Sequence, residues 1–176
     1  MFGHPALWLS TMAPIALTWL KEWKFLACPF FMPTRKSNDG AWMHPARLPL
    51  GAGWEGHCTA PGAEGAVPAG AELHLCNLGY ATECPRLPKD RVSDAVRFAI
   101  VSEQSSGIRL AYVCEKEHLP GEHGRLEYRT ATHSWLTPHP DERIQKMAEC
   151  FVDSWQAKFR RAVEVEEPHD TLHERS

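Results

Sequence analysis

The sequence predicts an α+β fold with a loop-rich, cysteine-containing N-terminal half, an antiparallel meander of three to four strands, and a C-terminal amphipathic helix. Proline, glycine and aromatic residues crowd the chain as far as Pro88 with little periodicity. Apolar and polar residues then alternate between residues 96 and 130, which is the period of half-buried strands. One apolar stripe at helical spacing follows Pro140. A run of strands followed by a helix is typical of the α+β class.

The size and charge of the chain limit the number of domains and the classes of partner. Its 176 residues suffice for one domain, and 43% hydrophobic with 23% charged residues is ordinary for a soluble globular protein. We predict a single metal-cluster-binding domain over residues 12–162, between a disordered extension at 1–11 and a disordered polar tail at 163–176. The net charge of −3 provides no basic surface, so no nucleic-acid partner is expected.

The apolar stretch from Ala6 to Leu20 does not predict export or a membrane span. No basic residue precedes it, Pro14 interrupts it, and no small-x-small cleavage site ends it. It is also too short to cross a bilayer. We therefore expect a cytoplasmic protein with no membrane partner, and leave open whether Met1 or Met12 is the start.

The N-terminal half is predicted to consist mainly of loops, with two short helical segments. A short helix from Leu17 is expected to run up to Ala27, where Cys28-Pro29 ends it. Residues 30–50 carry turn signals without a helix or strand period, and residues 60–69 form a small-residue loop. Residues 72–79 predict a helical turn that carries Cys76.

The meander is predicted from alternation and turn chemistry. Two strands with apolar positions at 96, 98, 100 and at 108, 110, 112, 114 flank the turn Ser105-Ser106-Gly107. A second turn at 120–124 leads to a third strand at 126–130, and Trp135 marks a short fourth.

The C-terminal helix is expected to open at Pro140-Asp141-Glu142 and to lie across the meander. Its apolar stripe consists of Ile144, Met147, Ala148, Phe151, Val152, Trp155 and Phe159. Phe151 and Trp155 are predicted to be core residues that face the sheet.

Four cysteines of the N-terminal half, Cys28, Cys58, Cys76 and Cys84, carry the functional prediction. Their spacing is C-x29-C-x17-C-x7-C. Structural zinc sites usually use paired C-x2–4-C knuckles, which are absent here, whereas iron–sulfur clusters accept thiolates from separate loops. Cys28 and Cys84 each precede proline, a dipeptide that resembles the cluster-binding run of bacterial ferredoxins. We predict a [4Fe–4S] cluster on these four cysteines, with zinc as the alternative and disulfides or unliganded thiols as the remaining possibilities.

Other residues near the cysteines are reserve ligands or charge partners. Cys114 follows the inward pattern of its strand and Cys150 lies beside the helical stripe, so we expect both to pack in the core, with Cys114 as a reserve ligand. His44 and His57 are reserve ligands as well. Arg47 and Arg86 stand in matching Arg-Leu-Pro contexts, where a cation could offset the charge of a thiolate-bound cluster.

Two further stretches contain residues that could carry chemistry. Glu115, Glu117, His118 and His123 surround the end of the second strand, as candidate metal or proton-transfer groups or as a solvated hairpin tip. Residues 50–56 are glycine-rich but lack the Lys-Ser/Thr of a phosphate loop, so we expect them to let the backbone pack closely beside Cys58.

The sequence thus favours a small iron–sulfur protein with an electron-transfer, cluster-carrier or sensing role and a redox or protein partner. One alternative is a zinc-stabilised binding module whose metal is purely structural. Another is a cluster-containing enzyme that uses Glu115 and His118, so enzyme status stays open. Because metal-binding energy is folding energy in loop-rich sites, residues 28–88 are expected to depend on ligation more than the C-terminal half does.

Overall fold

The computed structural model describes residues 26–38, 40 and 42–166, apart from the side chains of 159 and 161–166. The elements in chain order are β1 (Phe31–Lys36), a 3-10 turn (Pro45–Arg47), β2 (Trp54–Cys58), α1 (Ala71–Leu78), β3 (Ala95–Gln104), β4 (Gly107–Lys116), β5 (Leu119–Arg129), β6 (Ser134–Thr137) and α2 (Glu142–Glu166). The strands form a two-stranded hairpin and a four-stranded antiparallel meander. The predicted α+β class is confirmed.

The meander β3-β4-β5-β6 follows the alternation of the sequence. Val96 and Leu110 are fully buried, as are nearly all of Ile108 and Leu126, while the residues between them face outward. Successive side chains of a strand point to opposite faces, so one face of each strand contributes to the core. The predicted strands at the third and fourth positions are confirmed in β5 and β6.

The turn between β4 and β5 lies earlier than predicted. Glu117 and His118 form it, both with positive φ (51° and 64°), whereas the predicted turn at 120–124 belongs to β5. Two consecutive residues in the left-handed region make a tight hairpin turn whose twist matches that of the strands. Gly124 has a packing role instead, because a Cβ there would stand 2.7 Å from the ring of Tyr112.

The hairpin β1–β2 was not predicted, and the expectation of turns only over residues 30–50 is wrong for β1. Phe31 pairs with Cys58 across the ladder, and the register shifts between Pro33 and Arg35. Proline is tolerated at such an irregularity, although it obscures the strand in the sequence. Gly56 permits the pairing, since a Cβ there would stand 2.1 Å from the carbonyl oxygen of Met32. The expected role of the glycine-rich stretch in close backbone packing agrees with this contact.

The N-terminal helix predicted to run from Leu17 to Ala27 does not reach Ala27. Ala27 is fully buried and forms an antiparallel bridge with Val96, in which each amide donates to the other's carbonyl at 2.8 Å. A residue in such a bridge is extended, so the helix cannot reach Ala27. The remainder of that helix, the extension at 1–11 and both candidate starts lie outside the described residues.

The long helix α2 packs against β1 and β3. Its buried residues include Ile144, Met147, Ala148 and Val152, as the stripe predicts. Phe151 and Trp155 are only partly buried and pack at the border of the core, so the expectation that they are central core residues is not met. The side chain of Phe159 lies outside the described residues.

The helix α2 extends beyond residue 163, where the disordered tail was predicted to begin. The helix continues to Glu166, four residues into the segment 163–176 that was expected to be disordered. Alanine, valine and glutamate continue a helix without a break until Pro168. Residues 167–176 lie outside the described residues.

The centre of the helix–sheet contact gives the first testable prediction. Met147 is fully buried, whereas Trp155 is partly buried and donates a hydrogen bond from Nε1 to Glu103 Oε2 at 2.9 Å. Met147→Ala should lower the free energy of unfolding by about 2–5 kcal/mol, because the cavity lies inside packed core. Trp155→Ala should cost less, which urea titration of both variants would measure. A larger loss of stability for Trp155→Ala than for Met147→Ala would contradict the placement of Met147 at the centre of the helix–sheet contact.

Candidate metal centre

Backbone hydrogen bonds bring three of the four predicted cysteines together. The amide of Cys28 donates to the carbonyl of Cys76 at 2.9 Å, which joins the N-terminal segment to α1. The carbonyl of Cys28 accepts from the amide of Phe31 at 3.1 Å, and Phe31 lies directly opposite Cys58 in the hairpin. The side chains of all three cysteines are buried. The fold therefore gathers residues that are up to 48 positions apart in sequence.

The fourth cysteine, Cys84, lies in a turn that follows α1. Its amide donates to Ala81 at 2.9 Å and its carbonyl accepts from Leu87 at 3.3 Å. Arg86 attaches this turn to the helix through an ion pair with Glu72, at 2.8 Å. Since Glu72 precedes Cys76 by four residues, both side chains lie on one face of α1. Cys84 is half-buried, so it is the most exposed of the four.

Burial is the main cause of the raised pKa values of two of the thiols. Burial, with smaller contributions from Cys58 and Cys84, raises the pKa of Cys28 to about 11. Burial, with smaller contributions from the three other cysteines, raises the pKa of Cys76 to about 12. Without a metal these two thiols are protonated at neutral pH, so binding a metal there releases protons.

The surroundings of the cysteines provide donors and cations. The amide of Ala60 donates to Cys58 Sγ at 3.4 Å. The guanidinium of Arg86 interacts electrostatically with Cys58 and Cys84, as the sequence led us to expect, whereas Arg47 lies exposed at the end of the 3-10 turn. Such N–H···S bonds and nearby positive charges stabilise sulfur that carries negative charge.

A second arginine was not predicted. Arg143, in the first turn of α2, interacts with both Cys28 and Cys114, and its guanidinium carbon lies 5.4 Å from the ring centroid of Phe30. Asp141 holds it through an ion pair of 2.5 Å. The sequence gives no signal for this approach, because 115 residues separate Arg143 from Cys28.

The reserve ligands lie in other surroundings. Cys114 and Cys150 are buried in the core, which agrees with their expected packing role. The charges that act on Cys114 are those of Glu122, Asp141 and Arg143. His57 is half-buried on β2, where it alternates with Cys58 and so points to the opposite face, and His44 is exposed.

All six cysteines are free thiols, and the four gathered cysteines have the soft donor chemistry that an iron–sulfur cluster or zinc requires. Within the ranges that the structure describes, no three or more His, Cys, Asp or Glu side chains stand in the arrangement of metal ligands. Coordination by these cysteines is therefore a proposal, considered below.

Comparison with known proteins does not identify a family. No protein-family model matches the chain, and neither a curated protein nor a solved structure is similar enough to match it. Neither helix in the described part of the chain is long and apolar enough to cross a membrane. The candidate function therefore depends on the residues alone.

The acid and imidazole residues form a second cluster around Tyr80. Glu115 is buried, pairs with Arg97 and accepts a hydrogen bond from the Tyr80 hydroxyl at 2.7 Å. The ring of His118 stacks on Tyr80 with 4.2 Å between centroids. Burial raises the pKa of Tyr80, and its hydrogen bond to Glu115 raises it further. The sequence prediction missed Tyr80, whose only local signal is the Gly79 that precedes it.

The neighbouring residues tie this cluster to the hairpin turn. Asp94 accepts a hydrogen bond from the amide of Glu117 at 2.8 Å and pairs with Arg91 at 2.5 Å. His123 lies apart on β5, exposed, with Nδ1 3.0 Å from the carbonyl oxygen of Gly121. Glu115 is committed to two partners, so this arrangement stabilises the junction of α1 with the meander. A catalytic role of Glu115 and His118 stays a prediction.

Proposed function

We propose that the protein binds an iron–sulfur cluster, of the [4Fe–4S] type, through Cys28, Cys58, Cys76 and Cys84. The observation that carries this proposal is that backbone hydrogen bonds and the β1–β2 ladder bring Cys28, Cys58 and Cys76 together, with Cys84 in the turn after α1. When bound, such a cluster supplies reversible one-electron transfer. The corresponding biological roles are electron transfer, cluster carriage or sensing.

Two features of the surroundings favour a cluster over zinc. The cysteines lack the short knuckles that usually aim backbone amides at a zinc-bound sulfur. Arg86 interacts electrostatically with Cys58 and Cys84, and Arg143 does so with Cys28, so both would offset the negative charge of a thiolate-bound cluster. The half-buried Cys84 is the ligand nearest to solvent, so a redox or protein partner would approach from its side.

Zinc is the alternative that another observation favours. Residues 59–70 and 79–94 contain no helix or strand, yet they lie directly beside the gathered cysteines. A structural metal could order such segments without any redox function. The free thiols also favour a reducing compartment, so we retain a cytoplasmic location as part of the proposal.

The test is metal analysis of protein purified without oxygen. We expect iron and acid-labile sulfide in near-equal amounts, together with a brown colour. Replacing any one of the four cysteines by serine, for example Cys84→Ser, should sharply lower the iron content. Cys150→Ser is the matched control, since Cys150 is buried in the core away from the site and should leave colour and iron intact.

Each other outcome has a clear meaning. Colourless, iron-free protein after anaerobic reconstitution would reject the cluster. One zinc per chain, lost in the same four variants, would establish the structural alternative. Full cluster content in Cys28→Ser would move the fourth ligand to Cys114 or to a histidine such as His44 or His57.

A further inference from the structure

A small pocket lies on the side of α2 that faces the loop between β1 and β2. Its volume is about 240 Å³, and Lys36, Ala46, Gly51, Ser154 and Lys158 are among the residues that line it. Lys36 ends β1, while Ser154 and Lys158 are four positions apart and so share one face of α2. The four cysteines do not contribute to this pocket.

Two lysine side chains contribute to the lining of the pocket. Lys36 and Lys158 both line it, so two ammonium groups belong to one small space. The ammonium of Lys158 donates to the carbonyl of Ala46 at 3.2 Å, which fixes its position at the rim. Ammonium groups that line a small pocket attract an anion.

A buried hydroxyl lies beside these cations. Ser154 is only 2% exposed, and its Oγ has no hydrogen-bond partner in the part of the chain that the structure describes. A buried hydroxyl without a partner is destabilising, because the desolvation of the group is not compensated. An unpartnered donor that lines a cationic pocket is explained if a bound group accepts its hydrogen bond.

Gly51 leaves the space in which such a group fits. Its φ is +71°, and a Cβ there would stand 3.5 Å from the ammonium of Lys158 and 3.8 Å from Ser154 Oγ. It would also stand 3.0 Å from Ser154 Cβ. Without a side chain at this position, both donors lie near one small space. The glycine, which the left-handed backbone favours in any case, therefore also keeps the pocket open.

We infer that this pocket binds a small phosphate-type anion, either inorganic phosphate or a small phosphomonoester. The anion would place its charge between Lys36 and Lys158 and accept a hydrogen bond from Ser154. A phosphate group has enough oxygens for all three donors, and its double negative charge matches two ammonium groups. The volume accommodates a phosphate with a few further atoms, since one water occupies about 30 Å³. This inference does not depend on the metal centre.

Calorimetric titration with two probes tests the site. Inorganic phosphate and glycerol 3-phosphate are titrated separately into the full chain at constant ionic strength, with chloride as the comparison anion. Both probes should bind, and chloride should not. Ser154→Ala and Lys36→Met should each weaken binding by roughly tenfold or more, because each removes a hydrogen bond or ion pair to a charged group. Lys89→Met, at an exposed loop position, is the matched control and should bind normally.

Thermal unfolding separates binding from folding. Without an added anion, Ser154→Ala should be at least as stable as the original protein, since it removes an unpaired buried hydroxyl. Tighter binding of glycerol 3-phosphate would assign the pocket to a phosphomonoester, and equal or weaker binding to the free ion. Failure of both probes to bind, equal binding of chloride, or unchanged affinity in Ser154→Ala and Lys36→Met would overturn the inference.

Discussion

Removing the metal that we propose for the four cysteines should open residues 59–92 to trypsin while the meander stays protected. The cleavage sites Arg86 and Lys89 lie in this segment, whose irregular loops are tied to the fold chiefly beside the cysteines. Cleavage there should accelerate by roughly tenfold or more, since every 1.4 kcal/mol of lost local stability opens the segment tenfold more often. Mass spectrometry of the fragments would locate the cuts.

The hairpin β1–β2 should resist cleavage in the same experiment. Phe31 and Trp54 belong to one buried cluster with Val96 and Met147, so α2 and the meander hold the hairpin without a metal. The sequence alone assigns metal-dependent order to residues 28–88, whereas the structure moves the start of that segment from residue 28 to residue 59. The metal-loaded protein and metal-free Cys84→Ser are the two controls. Equal cleavage rates with and without metal would contradict the prediction, as would simultaneous cuts at Arg97 or Arg109.

Arg97→Met should be among the most destabilising substitutions in the meander. Arg97 and Glu115 form an ion pair on neighbouring strands, and their side chains are only 13% and 10% exposed. Removing Arg97 leaves the Glu115 carboxylate buried without its counter-charge, with the Tyr80 hydroxyl as its hydrogen-bond donor, and breaking a buried pair typically costs about 3–5 kcal/mol. Urea unfolding at neutral pH, followed by tryptophan fluorescence, would measure the loss.

A double-mutant cycle separates the ion pair from simple packing. Arg97→Met with Glu115→Gln removes both charges, so the double variant should lose less stability than the two single variants added together. Arg109→Met, whose ion pair with Glu127 is exposed, is the matched control and should cost about 1 kcal/mol or less. A comparably small loss for Arg97→Met would show that its pair with Glu115 behaves as a surface pair.

The parts of the fold that were predicted are those with a regular period. The meander alternates over complete strands, and the stripe of α2 repeats over several turns, so local sequence determines both. The hairpin β1–β2 was not predicted because Pro33 and Gly56 are residue types that usually indicate turns. Each of them instead pairs with a strand more than 20 residues away in sequence, and a side chain at Gly56 would clash with the backbone of β1.

In the candidate site, too, some residues could be predicted from the sequence and others could not. The four cysteines could be proposed as ligands from their chemistry, because thiolates are the usual ligands of iron–sulfur clusters and of many zinc sites. Arg143 and Tyr80 could not, since their positions depend on how α2 and the segment after α1 meet the rest of the fold. Asn77 is a further example. It is buried, accepts from the amide of Trp54 and donates to the carbonyl of Trp54, both at 2.9 Å, so it joins α1 to β2.

The bridge between Ala27 and Val96 protects the molecule from association with its own copies. β3 lies at one edge of the meander, and an exposed strand edge of ten residues would be a template for aggregation. Ala27 occupies the edge at Val96, an irregularity interrupts the ladder between Ile100 and Ser102, and Trp155 of α2 contacts Glu103 beyond it. The opposite edge, β6, has only four residues. Neither edge therefore offers a long, uninterrupted row of amides and carbonyls to which a foreign strand could add.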